Sequence, residues 1–343
     1  MSNQTYHFKG EITTLEPLTV SIAKQAGRQA MPRNGEVPYF PSTSINGAFR
    51  HSLVNYVLSL TDKPTMSLET FYSLSQGYIV DNDVSDQVVK SKTSTPTDKD
   101  VDLRVENPIL SIFGRWSLAG KFGVGSALAL KKDDAQEISG GYRCNPVERD
   151  GELEAMLPES EVARHYNIIA SQSETAVDVS SIKKEKTALT RKLKSASDSE
   201  KTLIRAQISE LDEAIKSSKN ESGEARETIR RPIDSFEAII ANTNLQHRMT
   251  LKRGSLVELG AALYSIAQFS KNPKLGGKQR HNCGAVEAHW TVRVPAEDFT
   301  NKEVGKVGFN DEGFYVEGEV LESAMVAFKA GLKEGEFNFN RIV

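Results

Sequence analysis

Apolar residues recur at helical spacing in the stretch that follows a rigid, proline-containing entry, PYFP. Pro38 and Pro41 favour extended backbone, and the helical pattern begins at Ile45. Its apolar positions are Ile45, Ala48, Phe49, Leu53, Tyr56, Val57 and Leu60. The sequence therefore predicts a helix that packs on a core through this face, with Asn46 and Arg50 one turn apart on the other face.

A second helix is predicted with clearer boundaries. Ser255 and Glu258 have the spacing of a capping box, and Asn272-Pro273 marks the end of the pattern. Its apolar face consists of Leu256, Leu259, Leu263 and Ile266. We expect this helix to be an element of the core.

Alternating or continuous apolar runs predict the strands. They fall at residues 6–15, 109–113, 123–131, 245–251, 285–294 and 314–320, with a further helix at 321–332. Strand, helix, strands, helix, strand is the order of a ferredoxin-like or RRM-like fold, so we expect an α/β (α+β) domain. The aromatic RNP1 pattern of a typical RRM is absent, so we do not expect bases to stack on the sheet.

Two segments interrupt this pattern. Residues 61–102 are polar and broken, and residues 91–100 have the composition of a mobile loop. Residues 168–231 are rich in charge and carry two apolar stripes on either side of a serine-rich break near 195–199. The stripes are Ile182, Leu189 and Leu193, then Ile204, Ile208, Leu211 and Ile215. This predicts a helical hairpin, which is either a solvated self-packing coiled coil or an arm that reaches a neighbouring subunit or nucleic acid.

Composition narrows the class of protein only broadly. The chain has 343 residues, of which 38% are hydrophobic, enough for a sizeable core. Its polar beginning predicts no signal peptide, and no apolar run is long enough to span a bilayer. With only Cys144 and Cys283, neither a disulfide framework nor a four-ligand zinc site is expected. We therefore expect a cytoplasmic protein without a metal or other cofactor.

The formal net charge of −3 argues mildly against nucleic acid, but the basic residues are concentrated locally. Between residues 271 and 293, five basic residues accompany one acid, Glu287. Between residues 21 and 50, Lys24, Arg28, Arg33 and Arg50 accompany Glu36. An acidic remainder with local basic stripes suits a protein that meets nucleic acid only within an assembly.

The first basic stripe includes the start of the first predicted helix, in PYFPSTSINGAFR. Ser42, Thr43 or Ser44 can cap this helix, whose first turn has free N–H groups at a positive dipole end. Gly47, between Asn46 and Arg50, leaves room for a large ligand. The alternative is an ordinary amphipathic helix with a solvated arginine.

The second stripe follows the capped helix, in PKLGGKQRHNCGAVEAHW. Glycine allows backbone N–H groups to approach phosphates, and basic side chains neutralise them. The segment combines Gly276, Gly277 and Gly284 with Lys274, Lys278, Arg280 and His281. It is not a Walker loop, because it runs into a strand without a GK[ST] tail. The alternative is a plain helix-to-strand connection.

Together the two segments resemble the RAMP superfamily, the repeat-associated RNA-binding proteins of CRISPR systems. The first resembles the proline-serine-glycine-arginine signature that opens the family's first helix, and the second resembles its glycine-rich loop, in the expected order. PILSIFGRW, followed by GVGSALALKKD, resembles the centre of the backbone subunit that lines guide RNA. The likeness is closest to the type IV backbone subunit, with the type III counterpart next.

The resemblance implies a palm core of residues 1–60, 106–143 and 233–343. It also implies a finger-like insertion at 61–105 and a largely helical, thumb-like insertion at 144–232. Met156 or Leu157 would be the thumb residue that wedges between guide bases. RNA contacts would come from Ser42, Ser44, Asn46, Arg50, Gly276, Gly277, Lys278, Arg280 and His281, with Arg28, Arg33 and Lys274 as second-rank candidates.

The resemblance also implies the partners. Copies of the chain would polymerise along the CRISPR guide RNA (crRNA) and present it for pairing with a complementary target, more plausibly DNA than RNA. Other effector subunits and a separate helicase would join the complex, with no role for a membrane.

Catalysis is not expected. The six histidines show no HxxxH or HExxH spacing, and no GxSxG motif is present. Type III relatives cut target RNA with an aspartate before the proline-serine motif, whereas this chain has Pro32 near that place. Two alternatives stay open: a metal-independent RNA endonuclease using His281 or His51, and an oligomerising structural protein without RNA.

Overall fold

The computed structural model describes residues 3–20, 30–60, 66–80, 98–139, 142–143, 152, 156–193, 198–221, 231–232 and 235–342. The chain forms two compact units, residues 1–138 with 235–343 and residues 139–234. Each unit is described by itself.

The first unit contains most of the strands. They are β1 (Gln4–Thr14), β2 (Arg33–Asn34), β3 (Val37–Phe40), β4 (Gly114–Arg115), β5 (Leu118–Ala119), β6 (Phe122–Val124), β7 (Ala127–Leu128) and β8 (Ala135–Ile138). In the second unit, β9 (Tyr142–Arg143) pairs with β10 (Arg231–Pro232). The first unit continues with β11 (Phe236–Ile239), β12 (Asn244–Gly254), β13 (Val286–Pro295), β14 (Asn301–Asn310) and β15 (Gly313–Glu317).

The helices are also divided between the units. The first unit has α1 (Ser42–Ser59), α2 (Leu68–Ser75), α3 (Asp98–Glu106) and α4 (Pro108–Phe113). The second has α5 (Glu159–Leu193) and α6 (Asp198–Glu221). The first unit ends with α7 (Leu256–Phe269) and α8 (Glu319–Glu334). Among the residues that the structure describes, no helix combines the length and apolar content that crossing a membrane requires.

The central sheet has the strand order β15-β14-β13-β1-β12-β7-β3-β2, with β6 also paired to β12. All the pairs that join β13, β1, β12, β6 and β7 are antiparallel. Along the chain these strands and their helices occur as β1, α1, β6–β7, β12, α7, β13. This is the connectivity and strand order of the ferredoxin-like fold, so the predicted α+β class is confirmed.

Each central strand has one face toward the helices and one toward solvent. On β1, Phe8 and Ile12 are buried while Lys9 is exposed and Glu11 is half-buried. The alternation follows from the two-residue period of a strand. Aromatic rings fill the space between sheet and helices: Phe49 meets Phe269 and Trp290 edge to face, with centroids 5.3 and 6.4 Å apart.

His247 is a polar residue buried within this core. Its Nδ1 accepts a hydrogen bond from Trp290 Nε1 at 3.1 Å, so its Nε2 carries the proton and donates to the carbonyl of Gly125 at 3.0 Å. Burial lowers the pKa of His247 to about 4. The neutral imidazole therefore ties β12 to β13 and to the connection between β6 and β7.

The beginning of α7 confirms the predicted capping box. Ser255 Oγ accepts from Glu258 N at 3.2 Å, and Glu258 Oε2 accepts from Ser255 N at 2.7 Å. The other carboxylate oxygen accepts from Lys121 Nζ at 2.6 Å and from the hydroxyl of Ser111. Glu258 thus caps its own helix and also joins it to α4 and to Lys121, the residue before β6.

The second unit contains the predicted helical hairpin. In α5, Ile182, Leu189 and Leu193 are half-buried, and so are Ile204, Ile208 and Leu211 in α6. Lys186 Nζ lies 2.5 Å from Asp212 Oδ1 across the pair. The break was predicted near residues 195–199; residues 194–197 lie outside the described residues, and α6 begins at Asp198. The finding confirms the hairpin as a structure and leaves its role open.

Other sequence predictions were wrong. Residues 109–113 form helix α4 rather than a strand, because the side chain of Asn107 accepts from Leu110 N at 3.2 Å and Pro108 occupies the first turn. Residues 98–100, predicted as loop, begin α3, and β14 was missed. The short apolar run at 109–113 also fits a strand, and it outweighed the local signals of a helix start. At 98–100 the charged, polar composition favoured a loop.

Candidate nucleic-acid interface

The glycine loop between α7 and β13 has a defined, left-handed backbone at several positions. Gly276 and Gly284 have φ of 76° and 99°. Lys278 and Asn282 are also left-handed and flank a single 3₁₀ turn, Gln279–His281. The turn leaves the side chains of Arg280 and His281 exposed. The loop therefore presents these two residues outward.

The loop is anchored to the segment that follows β1. Gly277 N donates to the carbonyl of Thr19 at 3.0 Å, and Gly284 N donates to the carbonyl of Pro17 at 2.9 Å. Ala285 N donates to Glu16 Oε2 at 3.1 Å. These bonds satisfy the loop amides internally, so Gly277 and Gly284 stabilise the loop rather than offering these N–H groups to a ligand.

The two sequence segments meet at Gly276. A Cβ on this residue would lie 2.1 Å from the carbonyl oxygen of Thr19 and 3.1 Å from the Phe40 ring. Phe40 ends β3 and is followed by Pro41 and α1. Only glycine fits here, because the approach is too close and φ is positive. The structure thus brings the glycine loop against the entry to α1.

The two predicted lysines of the loop have partners within the protein. Lys274 Nζ lies 3.3 Å from Glu16 Oε2, with both side chains about a quarter exposed. Lys278 Nζ lies 4.5 Å from the centre of the Phe236 ring. Burial and the charge of Glu16 raise the pKa of the nearby Cys283 thiol, so it is not an activated nucleophile. Arg280 and His281 are the more accessible polar groups of the loop.

The serines at the start of α1 do not cap it, contrary to the prediction. Pro41 is the N-cap, with extended backbone and no side-chain cap bond. Ser42 N donates instead to Ser126 Oγ at 3.1 Å, and Ser44 N donates to the carbonyl of Pro41 at 3.1 Å. Because Pro41 already has the extended backbone of a cap, the serines lie inside the first turn.

Two residues of α1, Asn46 and Gly47, have an unpaired polar atom and open space, respectively. The Asn46 Oδ1 atom is buried and has no hydrogen-bond partner among the described residues. No heavy atom comes within 4 Å of the place where a Cβ on Gly47 would stand. Because the Asn46 oxygen is buried, it can accept a donor from a ligand only when its side chain turns outward.

Arg50 does not face solvent. It is 5% exposed, and its guanidinium donates to the carbonyls of Ser73 and Leu74 at the end of α2. Gly77, with φ of 75°, leaves room for it. Burial lowers the pKa of Arg50 to about 10, which leaves it charged. The prediction that Arg50 binds RNA was wrong, because the residue caps a neighbouring helix from inside the core.

The remaining predicted residues are dispersed. Arg33 forms an ion pair with Glu237 and also donates to the carbonyl of Glu36 at 2.8 Å. Arg28 lies outside the described residues. In the second unit, Met156 is 75% exposed and Leu157 is 42% exposed. Arg33 is thus engaged in the fold, while the wedge assignment stays a prediction.

Sequence reasoning missed Glu16, Thr19, Ser126 and Phe236, which hold the loop and the helix entry in place. No local pattern marks them, because their partners lie far away along the chain. The close Gly276-Gly277 pair was the available signal that another backbone segment approaches the loop.

The described residues offer no metal centre: they contain no group of three or more His, Cys, Asp or Glu side chains that could hold an ion. His51 and His281 are both exposed. Arg280 and His281, which are exposed, can bind an anion. Lys278, which is half-buried, can contribute to an anion that lies closer to the loop backbone. No family model and no curated protein sequence matches this chain.

Proposed function

We propose that the chain is a non-catalytic backbone subunit that binds CRISPR guide RNA. The observation that carries the proposal is the contact between the glycine loop and the entry to α1, through Gly276 and Phe40. Two segments that resemble RAMP motifs, separated by more than 200 residues, are thus in contact on a ferredoxin-like core. If the two segments resembled RAMP motifs only by chance, there would be no reason to expect them in contact.

Phosphate groups of the guide would be held mainly by Arg280. Its side chain is exposed on a turn whose backbone is fixed by two left-handed residues, Lys278 and Asn282. His281 would add hydrogen bonds, and Lys278 would add charge without leaving the Phe236 ring. A fixed turn loses little conformational freedom on binding, so each contact contributes more to affinity.

The first turn of α1 would contact the sugar or an exposed base edge. Asn46 Oδ1 has no partner among the described residues, and the next residue, Gly47, leaves open space on the helix. Ser42 and Ser44 are half-buried in the same turn. Contacts of this kind position a strand without reading its sequence, which suits a protein that must accept every guide.

The same proposal extends to assembly. Several copies would lie along one guide, with the exposed Met156 or Leu157 of the second unit as the base wedge. Other effector subunits, a helicase and a complementary target, more plausibly DNA than RNA, would complete the cytoplasmic complex. The net charge of −3 would limit binding to unrelated nucleic acid outside it.

The test is to purify the protein from cells that carry a matching repeat array and to sequence the small RNA that survives nuclease treatment. Uniform guides with repeat-derived ends are expected. Cells without the array are the control. Random fragments, or a folded oligomer without RNA, would contradict the proposal, and the latter favours a structural protein. Specific cleavage of repeat RNA in EDTA that is lost in His281→Ala would replace the proposal with the endonuclease alternative.

A further inference from the structure

The solvent face of the central sheet carries a second polar surface, separate from the glycine loop. Across β12, β1 and β13 it forms a cavity of about 310 Å³. The cavity is lined by Lys9, Gly10, Glu11, Gln246, His247, Arg248, His289, Thr291 and Arg293. All of these residues belong to the first unit and lie on neighbouring strands of one sheet.

The strand register places the cations together. Lys9 lies directly opposite Arg248 on β12 and Thr291 on β13. Arg293 lies two residues further along β13, opposite His7. Side chains in opposite positions are about 5 Å apart at Cβ, so the three cations form one patch, which we call the cationic row.

The cationic row is available to an anion. Neither Lys9 nor Arg248 forms an ion pair with any residue that the structure describes. Arg293 lies 3.9 Å from Glu303, with both side chains close to half exposed. Such a long, exposed pair contributes little and is easily exchanged for a phosphate.

The residues that line the cavity include one carboxylate, Glu11, and its position indicates which class of ligand fits. Glu11 lies opposite Gln246 and His289, in the row next to the cations. It too forms no ion pair with a described residue. A site for polyphosphate or an acidic peptide would be weakened by this carboxylate. A ribose 2′-hydroxyl, in contrast, can donate to it while its phosphate binds the neighbouring row.

We propose that this face binds single-stranded RNA, with Lys9, Arg248 and Arg293 on the phosphate and Glu11 accepting from the 2′-hydroxyl. The inference rests on the proposed function only for the class of ligand. It adds a surface that distinguishes RNA from DNA without reading bases. Binding uses charged side chains on the sheet, so it does not require the aromatic RNP1 pattern, which the sequence lacks.

The test measures binding of a short labelled single-stranded RNA and the DNA of the same sequence by fluorescence anisotropy over a salt series. Lys9→Ala with Arg248→Ala should weaken RNA binding about tenfold and reduce the salt slope by roughly 1.4. Lys329→Ala with Lys333→Ala removes two exposed charges from α8, in the helical layer, and should change neither quantity.

Glu11→Ala separates ribose recognition from simple charge. Removing the carboxylate should tighten DNA binding, while the ratio of RNA to DNA affinity falls about tenfold, as expected for a lost hydrogen bond to a charged group. An equal gain for RNA and DNA would overturn the assignment of Glu11.

The outcomes also separate this inference from the proposed function. If the Lys9 and Arg248 variant binds as the wild type does while Lys278→Ala with Arg280→Ala binds weakly, the sheet site is wrong and the loop stands. If the loop variant is unaffected while the sheet variant is weakened, the sheet site stands and the loop does not. A wild-type protein that binds neither RNA nor DNA would overturn both.

Discussion

Arg50 and Arg280 have similar sequence surroundings, but Arg50 is buried and Arg280 is exposed. Both follow a glycine at short distance in a basic, polar stretch. Arg50 is buried between α1 and α2 and donates to carbonyls at the end of α2, whereas Arg280 is exposed on a fixed turn. The difference teaches that a nearby helix end can bind an arginine through its carbonyls and so withdraw it from the surface.

The largest effect is expected at the buried arginine. Arg50→Ala removes the side-chain donor of the Leu74 carbonyl and one donor of the Ser73 carbonyl, which still accepts from Gly77 N at 3.1 Å. The loss of these buried bonds should lower the free energy of unfolding by about 3 kcal/mol. Urea denaturation measures it, with Arg280→Ala as the matched control, for which the change should stay within about 0.5 kcal/mol. Unchanged stability in Arg50→Ala together with weaker RNA binding would reverse the assignment of the two arginines.

Burial of His247 makes the stability of the fold depend on pH. The pKa of His247 is lowered to about 4, so the unfolded chain binds the extra proton below its ordinary value of 6.5. The stability contributed by the neutral imidazole is present above pH 6.5 and is lost as pH falls toward 4, by up to about 3 kcal/mol.

Carboxylates also titrate in this range, so the pH effect is read as a difference between proteins. His247→Phe should flatten the pH dependence of the unfolding free energy between pH 6.5 and 4 relative to the wild type. Parallel curves for wild type and His247→Phe would show that the imidazole is not held neutral.

Two glycines give a smaller effect with opposite signs. Gly276→Ala places a Cβ 2.1 Å from the Thr19 carbonyl at positive φ and should cost about 2 kcal/mol. Gly47→Ala meets open space within α1 and should stabilise by about 0.5–1 kcal/mol. Thermal unfolding of both variants checks the pair. Stabilisation by both changes would mean that the loop does not rest on the segment after β1.

The same residues explain what the sequence could predict. The capping box of α7 and the helical hairpin depend on neighbours within one or two turns, so their patterns were sufficient. The burial of Arg50 depends on its bonds to α2 and on the space that Gly77 leaves. The sequence around these partners showed no clear pattern of helix or strand. A warning was present, since Arg50, Val54 and Val57 have the spacing of a buried stripe.

The candidate surface was predictable only in its parts. The glycines and basic residues of the loop were visible in the sequence, but their anchors on Glu16, Pro17 and Thr19 were not. Those bonds join segments more than 250 residues apart, and no local pattern encodes them. The sheet face was hidden for a similar reason, because strand register decides which charges become neighbours.

The most direct test of the loop is the salt dependence of guide-RNA binding by the double variant Lys278→Ala with Arg280→Ala. The wild type should lose affinity as salt rises, and the variant should bind more weakly with a slope shallower by roughly 1.4. Lys329→Ala with Lys333→Ala, on α8, should match the wild type. An unchanged affinity and an unchanged slope in the loop variant would exclude the glycine loop from the RNA interface.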